Sequence, residues 1–150
     1  MGNRCIITTK DKTVGVYLHW NGGRDSVEAF LMYCKLQKFR SPEQDNYGWA
    51  RLCQIIGNYF GTGGLSIGID TLDNLPDAEY CDNGIYIIQN WEIIDRVYPW
   101  EDFTEQQSHD ILDMLEAIDN SQPEFMQLTE DKQNRKPEFR NWVEGIRSKE

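Results

Sequence analysis

Six consecutive residues carry the densest set of chemically useful side chains in this chain: His19, Trp20, Asn21, Gly22, Gly23 and Arg24. They fall between a segment patterned as a strand and one patterned as a helix. The backbone N–H groups at a helix N-terminus attract anions. An imidazole, an indole, an amide and a guanidinium gathered there could hold a phosphorylated or nucleotide-like ligand. The same residues also make a plain turn, because Asn and Gly tolerate the positive φ that tight turns require. Both readings stand at this point. Neither G-x-x-x-x-G-K-[ST] nor G-x-G-x-x-G occurs, so no standard phosphate loop is present.

The second set is acidic. The net charge is -10 over 150 residues, and it is unevenly spread. Residues 1–64 carry 8 Lys/Arg and 5 Asp/Glu, and residues 132–150 carry 6 and 3. Residues 65–131 carry 17 Asp/Glu against Arg96 alone. Asp70, Asp73, Asp77, Glu79 and Asp82 fall in one loop, and Asp110, Asp113 and Glu116 on one helix. On a shared face they would form a strong negative field fit for a cationic partner. Solubility alone also explains such a composition.

Other chemistries find little support. Cys5, Cys34, Cys53 and Cys81 are far apart, with no C-x-x-C pair, and His19 and His109 are distant, so no metal site is expected. Cys34 and Cys53 sit on apolar helix faces and read as free buried thiols. Cys5 would need four residues removed to act as an N-terminal nucleophile. The acidic loop lacks the residue order of an EF-hand. The glycine-rich "GTGGLS" follows a helix and precedes a strand, the reverse of a phosphate loop, and reads as a helix stop and turn. No Ser-His-Asp arrangement is legible, and no cofactor is expected.

The elements that must position these residues follow from periodicity. "RCIITTKD" and "TVGVYLHW" alternate as a hairpin, with Val14, Val16 and Leu18 on one face and Tyr17 and His19 on the other. Asp25 with Glu28 forms a capping box for a helix over 26–38, striped by Val27, Phe30, Leu31 and Cys34. Asp45 or Asn46 caps a second helix with Trp49, Leu52, Cys53, Ile56 and Phe60 inward and Gly61 at its end. Leu65, Ile67 and Ile69 point inward from a third strand. Residues 84–98 read as one long bent strand or two short ones broken near Gln89-Asn90. Thr104 with Gln107 caps a helix whose inward stripe is Ile111, Leu112, Leu115 and Ile118, with Asp110, Asp113, Glu116 and Asp119 projecting elsewhere. Pro137 opens a last helix striped by Phe139, Trp142, Val143 and Ile146. The expected core includes Phe30, Leu31, Trp49, Leu52, Ile56, Ile67 and Ile87.

Together these elements predict one α+β domain over 1–150: an antiparallel sheet covered by helices (residues 1–98), followed by a C-terminal helical segment (99–150). No run of apolar residues is long enough to span a membrane. The N-terminus has no secretory signal, and Ile6 stands where myristoylation wants Ser or Thr, so the expected compartment is the cytoplasm.

"NRCIITTKDKTVGVYLHWNGG", "YGWARLCQIIGNYFG" and "GIYIIQNWEII" resemble small proteins of phages and prophage-like elements; a related group of phage proteins carries a similar His-Trp-Asp-Gly turn after an N-terminal hairpin, and here Asn21 replaces that Asp. The resemblance covers residues 3–98. It implies a mobile-element origin and, from the habits of such proteins, inhibition of host defence, as by anti-CRISPR proteins; it carries no catalytic residue. Two functions are therefore expected. One is non-catalytic inhibition in the host cytoplasm. There the carboxylates mimic nucleic-acid phosphates toward the basic channel of a defence nuclease such as a CRISPR effector, with no direct nucleic-acid contact. The other is binding or turnover of a nucleotide-like small molecule by His19, Trp20, Asn21 and Arg24.

Overall fold

The computed structural model describes residues 2–61, 66–97 and 111–128, Glu79 by its backbone alone. Among the described residues five strands form one sheet in the order β3-β2-β1-β4-β5. They are β1 (Cys5–Thr9), β2 (Val14–Leu18), β3 (Ile67–Thr71), β4 (Ile85–Gln89) and β5 (Glu92–Val97). Three helices among the described residues accompany them: α1 (Arg24–Leu36), α2 (Asn46–Phe60) and α3 (Ile111–Ser121). The class is α+β. Three of the four strand pairings are antiparallel, as expected, but β1 pairs with β4 in parallel. Alternation within a strand says which side chains share a face and nothing about the neighbour's direction.

β1 is central and wholly buried. Its Cys5 and Ile7 join Val16, Leu18, Tyr86 and Ile88 in a core with the helices, including Phe30, Leu31, Leu52 and Ile56. Side chains one residue out of phase point to the opposite face. There a Cβ on Gly15 would meet Leu75, Ile6 and Leu72. The segment after β3, with short 3-10 turns at Leu72–Asn74 and Ala78–Tyr80, therefore covers the back of the sheet while the helices cover the front.

Local signals explain most boundaries. The Asp45 carboxylate accepts from the Tyr47 N–H and caps α2, and Gly61, with φ 57°, follows the helix's last residue. β4 and β5 are two strands joined at Asn90 (φ 52°) and Trp91 (φ 62°), the paired positive φ of a two-residue hairpin turn.

Three expectations are corrected. α1 begins at Arg24 and ends at Leu36, with Gly23 in the cap position; extended Gly23 offers its carbonyl to the Val27 N–H, so Asp25 is a buried first-turn residue and not the cap. Ile69 is 54% exposed and Ile67 half-buried. Asp119 does not project outward: it is fully buried. The Thr104 cap, Leu65 and the 139–146 stripe lie outside the described residues, as do Asp110 and His109.

Candidate functional site

The turn after β2 is built rigidly. Asn21 takes a φ of 57°. The Gly22 N–H donates to the Asn3 carbonyl (2.8 Å), and the Tyr86 hydroxyl donates to the Gly22 carbonyl (2.8 Å). A Cβ on Gly22 would lie 2.5 Å from the Asn3 oxygen, so only glycine fits there. The Asn3 N–H in turn donates to the His19 carbonyl (2.9 Å), closing the N-terminus over the turn.

This frame separates the residues that the sequence placed together. His19 Nδ1 bonds to the Tyr17 hydroxyl (2.9 Å), and its ring meets Trp20 edge to face at 4.9 Å. Trp20 is 44% exposed. Asn21 instead turns its amide to Ser26 Oγ (3.4 Å), and Arg24 pairs with Glu28 (2.7 Å). Asp25 places its own carboxylate in the first turn of α1, where the helix dipole favours an anion. Asn21 and Arg24 are thus committed within the chain, while Tyr17, His19 and Trp20 form an open aromatic step.

Arg4 is the residue the sequence reading missed. Its Nε meets Asp82 at 3.1 Å and its backbone N–H donates to the same carboxylate (3.0 Å). The parallel β1–β4 pairing brings residues 3–6 beside 82–85, a juxtaposition that no local signal announces. Hydrogen bonding from the Arg4 side chain holds the Asp82 carboxyl below its ordinary range. A lowered carboxyl stabilises the fold above the ordinary carboxylate range, and that contribution is lost as pH falls through the folded-state value. Burial raises the nearby Tyr17 phenol, so it is a neutral partner for His19.

The acidic set divides. Asp70, Asp73, Asp77 and Asp82 are exposed on or beside the segment covering the back of the sheet. Asp70 accepts from the Thr71 N–H (2.7 Å) and from Asn74 (3.3 Å). Among the described residues none of the ion pairs reaches Asp70, Asp73 or Asp77. Asp113 is exposed and Glu116 half-buried on α3, which packs on α1 and α2 in front. Loop and helix carboxylates therefore face opposite sides, and Asp82 joins the Arg4–Tyr17 corner. Glu79 has its backbone in the Ala78–Tyr80 turn.

Among the described residues no three His, Cys, Asp or Glu side chains gather as metal ligands, and no helix is long and apolar enough to cross a membrane. All four cysteines are free, and burial raises every one of their thiols. A raised thiol is a poor nucleophile. With a disulfide-exchange reagent at neutral pH, Cys53, the least buried, is expected to react first, and Cys5, Cys34 and Cys81 only on unfolding. Rapid stoichiometric modification of Cys5 in the native protein would contradict this.

A groove of about 590 Å³ runs between α1 and the β4–β5 hairpin, floored by Leu31, Met32, Leu36, Trp91 and Ile93. The Lys35–Glu92 ion pair (3.2 Å) lies at it. The chain matches no known protein family, no curated protein and no solved structure.

Proposed function

We propose that this protein acts by binding, as an inhibitor of phage or mobile-element origin that docks its acidic surface into the basic nucleic-acid channel of a host defence nuclease, a CRISPR effector by class, in the host cytoplasm. One observation carries the reading. The back of the sheet is covered by a segment holding Asp70, Asp73 and Asp77 exposed, without ion-pair partners among the described residues. Carboxylates left in this state keep their charge available to a Lys/Arg-lined channel shaped for phosphates. The docking surface is then the back face with Asp82 at its corner, and not α3, whose Asp113 and Glu116 face the other way.

The test uses two charge-reversed proteins, Asp73→Lys/Asp77→Lys and Asp113→Lys/Glu116→Lys, assayed for inhibition of such a nuclease over a salt series. The first is expected to lose inhibition and flatten the salt dependence; the second is expected to retain both. Equal inhibition by the first variant and the unaltered chain would refute the reading.

A second reading rests on Trp20, which is half-exposed and braced edge to face by His19. Such a step can stack a planar ligand. Quenching of Trp fluorescence by a nucleoside phosphate, removed in Trp20→Ala, would favour it.

A further inference from the structure

The two edges of the sheet differ. On β5 the pairing with β4 slips between Ile87 and Ile88, leaving Ile94 as an extra residue, and Glu92, Asp95 and Arg96 charge the strand. Bulges and charges are devices that blunt a strand edge. β3 has a regular register against β2 throughout and a single charge, Asp70.

The ladder fixes which β3 groups face outward. The Leu72 N–H donates to the Thr13 carbonyl (2.9 Å) and the His19 N–H to the Ser66 carbonyl (3.0 Å). Hydrogen-bonded pairs recur every second residue in an antiparallel ladder. They therefore fall at Gly15–Asp70 and Tyr17–Gly68. Ile67, Ile69 and Thr71 lie between them and turn their N–H and C=O groups away from β2. The Thr71 N–H is taken by the Asp70 carboxylate. Those of Ile67 and Ile69 face the side on which, among the described residues, no strand pairs.

We propose that this edge is a strand-addition site, and that its occupant is an extended basic segment of a partner protein. The proposal rests on the binding reading above and gives it a mode of attachment. Strand addition draws affinity from main-chain hydrogen bonds and specificity from alternate side chains. On the front, Ile69 stands opposite Val16, half exposed, and Ile67 lies by α2 near Gly57. An incoming strand places apolar side chains there. On the back its alternate residues run beside Asp70 and, just beyond, Asp73, where Lys or Arg is favoured. The same carboxylates, with a charge of -10 per chain, disfavour a second copy of this protein as the occupant.

The experiment follows backbone amide exchange in the full-length protein on titration with a short peptide alternating Lys and Val, and with its Glu-Val counterpart. The Lys-Val peptide is expected to slow exchange at Ile67 and Ile69, and the Glu-Val peptide is not. Ile69→Pro removes an outward donor while sparing the β2–β3 bonds, and is expected to weaken the peptide about tenfold. Ile69→Lys serves as the second variant if the first fails to fold by circular dichroism. Lys-Val binding that is equal in unaltered and Ile69 variants but lost in Asp73→Lys/Asp77→Lys would overturn strand addition and leave the acidic-surface reading standing. No binding of the Lys-Val peptide would also overturn it, as would a homodimer that Ile69→Pro dissociates.

Discussion

Replacing Asp119 by Ala is expected to cost about 2–4 kcal/mol, the penalty for leaving buried donors without acceptors. Asp119 has no solvent exposure. Its Oδ1 accepts from the Tyr33 hydroxyl (2.5 Å) on α1 and from the Leu128 N–H (2.7 Å). Burial and then the Asp119 carboxylate push the Tyr33 phenol far up, so it is a donor at neutral pH. Gln37 extends the network, donating to the Tyr33 oxygen (3.0 Å) and to the Met126 carbonyl (2.7 Å). One carboxylate thus fastens α3 and residues 122–128 to α1. Alanine strands the Tyr33 hydroxyl and the Leu128 N–H together; Asn restores an uncharged acceptor and is expected to recover part of the loss. Urea midpoints at constant m-value give the answer, and a midpoint for Asp119→Ala equal to that of the unaltered chain would show that the network bears no load.

Asp119 also shows where sequence reading fails. Leu112, Leu115, Asp119 and Gln122 follow one another at the three- and four-residue spacing of a buried helix stripe, yet two of them are polar. Gln122 is buried as well, donating to the Ile55 carbonyl (3.1 Å) and accepting from Asn58 (2.8 Å). Charge pointed outward, position pointed inward, and position won because partners for the polar atoms arrive from 86 and 67 residues away.

Much local information was legible, although Asp25 was read as the α1 cap that Gly23 occupies. The α2 cap and stripe, the β4–β5 turn and the Val14–Val16–Leu18 face rest on contacts within a few residues. The parallel β1–β4 pairing and the Arg4–Asp82 pair, the latter 78 residues apart, leave no trace in periodicity. At the candidate site the same division holds. The turn at Asn21–Gly23 was visible, but Arg24 and Asn21 were taken by neighbours on α1 itself. The acidic residues were countable in the sequence. Their division between two faces depended on which side of the sheet the 72–84 segment crosses.

That crossing also sets an asymmetry in stability between the two layers. Leu52 is fully buried in the helical layer, within the core that joins α1, α2 and the front of the sheet. Leu52→Ala is expected to cost about 2–5 kcal/mol, the transfer loss plus an unfilled cavity. That is a large share of the 5–15 kcal/mol that holds a typical domain together. Leu75 lies on the back, half-buried over Gly15 in a segment built of short turns. A side chain still partly in water loses less on truncation, and an irregular segment collapses more readily into the space left behind. Leu75→Ala is therefore expected to cost about 1 kcal/mol. Denaturant unfolding of both variants checks the pair. A larger loss at Leu75 than at Leu52 would place the main core behind the sheet. It would also make the acidic segment a structural layer in its own right, less free to serve as a surface for a partner.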